Sequence, residues 1–110
     1  GPVPPAAKQA APVVDTIEEE TVALGNYPNP FNPETTLYYA LPQGGEVELV
    51  VYSALGQKIR TLVDDTLPPG SYAIQWDGRD AQGLAVASGV YLAQLRTTEA
   101  RLMRKLILMR

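Results

Sequence analysis

Asp77 and Asp80 sit in the segment Trp76-Asp77-Gly78-Arg79-Asp80-Ala81-Gln82-Gly83, and their spacing is the most chemical-looking in the chain. Two acids beside glycines suggest a calcium loop. Calcium, however, takes roughly six to eight oxygens, and the regularly spaced acids and bidentate glutamate of a helix-loop-helix site are missing. Aspartates that cap a turn through backbone amides are the commoner arrangement, and that is the role expected here. A glycosidase pair would need a cleft that holds two carboxylates apart with one pKa raised, which a small domain with its acids on turns does not offer. Tyr38 and Tyr52 fall on the outer phase of their segments and would serve either as ordinary sheet tyrosines or as a polysaccharide-binding row.

The chain has no histidine and no cysteine. The usual neutral-pH base, a thiolate nucleophile, a disulfide and the common zinc sites are therefore excluded. With no phosphate-binding glycine loop and no nucleophile elbow either, the chain is not expected to be an enzyme or to hold a cofactor or metal. Lack of cysteine is compatible with an oxidising exterior. Net charge is −3, and it is unevenly spread: residues 1–50 carry one base and seven acids, whereas residues 51–110 carry eight bases and five acids. From Arg96 onward there are five bases against Glu99 alone. That is too little basic excess for a nucleic-acid binder, and the bases read first as the solvated face of an edge strand. The apolar run Leu106-Ile107-Leu108-Met109 is far too short to cross a bilayer.

The elements that must position these residues are short strands. Gly1-Pro2 reads as the scar of a cleaved tag, and Val3–Pro12, rich in proline and alanine, reads with Glu18-Glu19-Glu20 as an extended linker. Residues 1–23 are assigned to this tag remnant and linker, and residues 24–110 to one folded domain. With no secretory leader, the chain is expected to be a piece of a longer precursor. Leu37/Tyr39/Leu41, Val47/Leu49/Val51, Tyr72/Ile74/Trp76 and Tyr91/Ala93/Leu95 alternate with the residues between them, which predicts strands with one buried face. Ile59 and Leu62, three apart, break the period within Gln57–Val63, so a bulge or early end is expected there. Asp64-Asp65 and Pro68-Pro69-Gly70 read as the next turn. A last strand runs from Leu102 to Met109, and a seventh comes from Leu84–Val86 or Thr21–Leu24. The class is all-β: an antiparallel β-sandwich of about seven strands, like the immunoglobulin and fibronectin type III architecture but without a disulfide. Leu37, Tyr39, Leu41, Val47, Leu49, Val51, Tyr72, Ile74, Trp76, Tyr91 and Leu95 are expected to share its core.

Ahead of these strands, three prolines in Tyr27-Pro28-Asn29-Pro30-Phe31-Asn32-Pro33 fix φ and remove donors, so the segment is neither helix nor central strand. It reads as a stiff strap that packs Tyr27 and Phe31 on an edge of the sandwich. Gly89-Val90-Tyr91 opens the penultimate strand, and Arg104-Lys105-Leu106-Ile107-Leu108 lies in the last. With Val51–Gln57, these elements in this order resemble the type A C-terminal sorting domain of the type IX secretion system, a family related to the immunoglobulin-like domain of flagellar hook-capping proteins.

The resemblance covers about Leu24 to Arg110. It implies a non-catalytic sorting signal that directs an N-terminal passenger of the same precursor across the outer membrane of a Gram-negative bacterium. The implied partners are the outer-membrane translocon and a sortase, which cuts in the linker and attaches the passenger to the cell surface or releases it. The sorting residues it implies are Pro28, Asn29, Pro30, Gly89, Tyr91, Arg104, Lys105, Leu106, Ile107 and Leu108. Two other readings stay open. One is a carbohydrate- or protein-binding module of an extracellular hydrolase, and the other a structural domain of the hook-cap type.

Overall fold

The computed structural model describes residues 22–110, which form seven strands and no helix. They are β1 (Ala23–Tyr27), β2 (Thr35–Leu41), β3 (Gly45–Ser53), β4 (Lys58–Leu67), β5 (Gly70–Trp76), β6 (Gly89–Thr97) and β7 (Arg101–Leu108). One sheet has the order β1-β2-β5 and the other β4-β3-β6-β7, with every pairing of strands antiparallel. This is the expected immunoglobulin-like sandwich. The linker reading of residues 1–23 falls almost wholly outside the described residues, and the seventh strand is β1.

Alternation decides which residues meet between the sheets, because successive side chains point to opposite faces. Leu37, Tyr39 and Leu41 of β2 face Val47, Leu49 and Val51 of β3 and Tyr91, Ala93 and Leu95 of β6 in one buried cluster. Trp76 is fully buried, its ring edge-on to Tyr91 at 5.5 Å and tilted against Phe31 at 5.7 Å. Its indole N–H donates to Arg79 O at 2.9 Å, so the one polar atom of the ring is satisfied. Tyr72 and Ile74 are only half-buried and pack against the cluster from its margin, since β5 is an edge strand. Tyr39 and Tyr72 stack at 5.4 Å.

Several expected boundaries move. β4 runs on through Asp64 and Asp65 to Leu67 rather than turning there, because an edge strand can keep its carboxylates in water. Its register skips Ile59 and Leu62, which become the extra residues of two bulges opposite β3. The period break in the sequence is thus a pair of bulges that lets both side chains pack on the core. Leu84–Val86 is no strand and contributes only an isolated bridge from Ala85 to Arg79. The last strand is shifted by one residue, ending at Leu108. Tyr38 lies in β2 and Tyr52 in β3, on different sheets, so their outward faces lie on opposite sides of the sandwich and form no single aromatic row.

Trp76→Ala should lower stability by about 3–5 kcal/mol, because it opens a cavity between Phe31 and Tyr91 and removes the indole bond to Arg79 O; denaturant titration reads this directly. A second test uses pH. Burial first, then the neighbouring Tyr72 and Asp65, pushes the Tyr39 phenol up to about 12. An unfolded tyrosine ionises near 10. Above that pH the unfolded chain has lost a proton that folded Tyr39 retains, so the contribution of Tyr39 to stability is full below about pH 10 and is lost as pH rises toward 12. Tyr39→Phe keeps the stack on Tyr72 and should make this alkaline decline shallower, seen in urea midpoints at neutral and alkaline pH. An unchanged slope would assign the decline to other tyrosines.

Candidate functional site

The strap is built between β1 and β2. Its start is pinned where the buried Thr35 hydroxyl donates to Pro28 O at 2.7 Å, while Asn26 Nδ2 donates to Thr35 Oγ1 at 3.2 Å. The peptide bonds before Pro28, Pro30 and Pro33 are cis. Of the two aromatics expected to pack, only Phe31 does so, at 2% exposure; Tyr27 remains 73% exposed.

From this anchor the strap lies along the outer edge of β7. Asn29 Nδ2 donates to Lys105 O at 3.0 Å, and Asn29 Oδ1 accepts from Ile107 N at 2.9 Å. One side-chain amide therefore pairs with a strand as a backbone amide would. Phe31 continues the pairing, with Phe31 N donating to Ile107 O at 2.9 Å and Phe31 O accepting from Met109 N at 2.8 Å, in a parallel bridge opposite Leu108. The outer edge of this last strand is thus partly covered. From Lys105 O to Met109 N the strap already occupies it.

The Gly-x-Tyr segment pairs with the same strand from its other side, Gly89 opposite Leu108 and Tyr91 opposite Leu106. Gly89 has φ of 153°, and no atom lies within 4 Å of where a Cβ would be, so the demand on it is conformational rather than spatial. Tyr91 is buried to 7% exposure, and its hydroxyl donates back to Ala87 O at 2.6 Å. That is the tyrosine corner of immunoglobulin-like sandwiches. Burial raises its pKa while Arg110 pulls the other way.

The two basic residues Arg104 and Lys105 have different positions. Leu102, Arg104, Leu106 and Leu108 share the inward phase of β7, and Arg104 reaches across to the other sheet. Its Nε and terminal nitrogen both donate to Leu24 O, at 3.3 and 2.8 Å, closing the flank between β7 and β1. Lys105 is exposed on the outward phase. Reversing Arg104 would set a carboxylate against a carbonyl oxygen, so this residue is not the freely exchangeable surface charge that a basic pair suggests. Leu106 and Leu108 are fully buried, and Ile107 half-buried.

Pro28, Asn29, Pro30, Gly89, Tyr91 and Arg104–Leu108 thus lie in one contiguous assembly around β7. Sequence reasoning missed one of its members, Arg110, and the second role of another, Phe31. Phe31 joins the core and β7 together, a role that its isolation among prolines hid. Arg110 donates through Nε to Val86 O at 2.7 Å and through a terminal nitrogen to Gly78 O at 2.6 Å, which ties the loop after β5 to β7. Gly78 is required there: its φ is 74°, and a Cβ would lie 2.8 Å from Arg110 and 3.0 Å from Pro33 O. The legible signal for Arg104 was its place on the apolar phase of an edge strand, where inward charges are a known protective device.

The aspartates of the loop act as turn caps. Asp80 Oδ1 accepts from Gln82 N and Leu84 N at 2.9 and 3.0 Å, and Asp77 Oδ1 accepts from Arg79 N and from Arg60 at 3.1 and 3.2 Å. Among the described residues no group of three or more acids gathers as metal ligands would.

Asn29→Ala should remove both side-chain bonds to β7 and cost about 1–3 kcal/mol. Hydrogen exchange should accelerate at the Ile107 amide and leave the β3–β6 amides unchanged. Equal protection in both proteins would show that Phe31 alone seals the edge.

No curated protein matches the chain by sequence. Its fold is similar to parts of two solved structures from Porphyromonas gingivalis. Dimeric latent PorU superimposes with a TM-score of 0.62 at 16% identity, over 79% of this chain and 9% of that one. PorZ, described as an essential bacterial surface component of the type IX secretion system, gives 0.53 at 22% identity, over 86% of this chain and 12% of that one. The chain therefore spans only a small fraction of either protein. The family model for the FlgD Ig-like domain matches residues 32–101, from the strap to the start of β7, and the chain belongs to that family.

Proposed function

We propose that this domain is a non-catalytic sorting signal of the type IX secretion system, carrying an N-terminal passenger to the cell surface or exterior through the outer-membrane translocon and a sortase. The observation that carries the reading is the convergence on β7. The Pro-Asn-Pro strap, distant in sequence, joins the Gly-x-Tyr and basic–aliphatic strands of the last hairpin in one continuous surface through Asn29, Phe31 and Tyr91. The fold likeness to PorZ, a surface component of that system, supports the same reading.

Within this surface the motif residues divide by exposure. Tyr91, Leu106 and Leu108 are buried and act by building it, while Pro28, Asn29, Pro30 and Lys105 are exposed and open to contact. Arg104 serves the fold through Leu24 O. Membership of the FlgD Ig-like family favours a second reading, a structural domain of the hook-cap type, and the experiment must separate the two.

A reporter with a secretory leader and this chain at its C-terminus should leave cells that possess the secretion machinery, and should be retained when residues 22–110 are deleted. Lys105→Glu should keep the circular dichroism of the parent yet export the reporter poorly, since exposed charge reversals normally alter stability little. Retention of the intact fusion in the periplasm would instead favour the structural reading.

A further inference from the structure

The bases around β7 separate into two groups. Arg96 pairs with Glu48 at 2.6 Å, Arg104 is bound to Leu24 O, and Arg110 to Gly78 O and Val86 O. Arg101 and Lys105 have no such partner among the described residues, and both are exposed. They stand at the ends of an i, i+2, i+4 row on the outward face of β7, roughly 13 Å apart, with Met103 between them at 51% exposure.

The backbone of this stretch is also uncommitted. In an antiparallel ladder, alternate residues of an edge strand direct both N–H and C=O away from the neighbour. The strap's bonds to Lys105 O, Ile107 N, Ile107 O and Met109 N show that the odd-numbered residues of β7 face outward. The strap stops at Lys105 O. Met103 N, Met103 O and Lys105 N, which share that direction, have no partner among the described residues.

We propose that this uncovered half of β7, Arg101–Lys105, is a strand-addition site for an extended acidic peptide. Its main chain would pair with Met103, acids at alternate positions would meet Arg101 and Lys105, and an apolar side chain between them would lie on Met103. Charge complementarity selects the partner: the row carries two unneutralised bases and no acid. Asn29 closes the far end of the site, so a partner strand is confined to this short window. The inference is independent of the sorting reading, because a peptide-binding edge could serve a translocon component or a structural neighbour equally.

The test uses the full 110-residue chain and a fluorescent peptide containing Glu-Thr-Val-Thr-Glu, followed by anisotropy. Saturable binding is expected. N-methylation of the valine amide, which leaves peptide charge intact, should weaken it about tenfold by removing the donor opposite Met103 O. Arg101→Glu with Lys105→Glu should abolish binding while the circular dichroism stays that of the parent, and a peptide with lysine in place of glutamate should not bind. Equal affinity for the N-methylated peptide would reduce the contact to nonspecific charge attraction and overturn the proposal, as would no binding at all. Two further outcomes would overturn it by naming another occupant. Self-association of the chain abolished by the same double reversal would assign the edge to a second copy. Binding seen only after deletion of residues 1–21 would assign it to the chain's own acidic run.

Discussion

An edge strand must do something with the backbone groups that face away from its sheet, and in this domain β7 sets the terms for nearly everything around it. Left open from Arg101 to Met109, it would offer a long template for unwanted pairing. The strap covers the half that includes the most apolar residues, Leu106 to Leu108, using one carboxamide and one backbone amide. That cover is possible only because Asn26, Pro28 and Thr35 hold the strap's start, and because Phe31 is drawn into the core against Trp76. Edge protection and core packing are thus a single interaction seen from two sides.

Electrostatics at the same flank follow from that geometry. A guanidinium is a rigid fork of donors, well suited to bare carbonyls. Arg104 and Arg110 are used in this way: each satisfies carbonyl oxygens on a neighbouring segment, one joining the two sheets and the other joining the loop after β5 to β7. The apparent basic cluster is therefore largely structural mortar, and among the described residues its side chains without a bonded partner are those of Arg101 and Lys105. The acids of the Trp-Asp-Gly loop are likewise absorbed into turns. Asp77 and Asp80 each accept backbone amides of their own loop, as turn-capping aspartates do.

Most of the sandwich was legible in the chain. Alternation placed Leu37, Leu49, Val51, Trp76 and Leu95 in the core because a strand's period of two makes burial a local property. The break at Ile59 and Leu62 marked real bulges. Strand ends were less legible: Asp64 and Asp65 look like a turn, yet an edge strand tolerates them. Asn29 gave no sign of its partner, since a carboxamide next to proline reads as a turn residue until the strand it faces is known.

The amino-acid sequence by itself determined the fold class, the inward and outward residues of each strand, and the absence of histidine and cysteine chemistry. These depend on composition and on neighbours two residues away. Only the tertiary structure decided which edges are closed, which bases are free, and that segments near residues 29, 91 and 107 form one surface. Those outcomes depend on hydrogen bonds between residues distant in the chain, such as Asn29 to Ile107 and Arg104 to Leu24, and no local pattern encodes them.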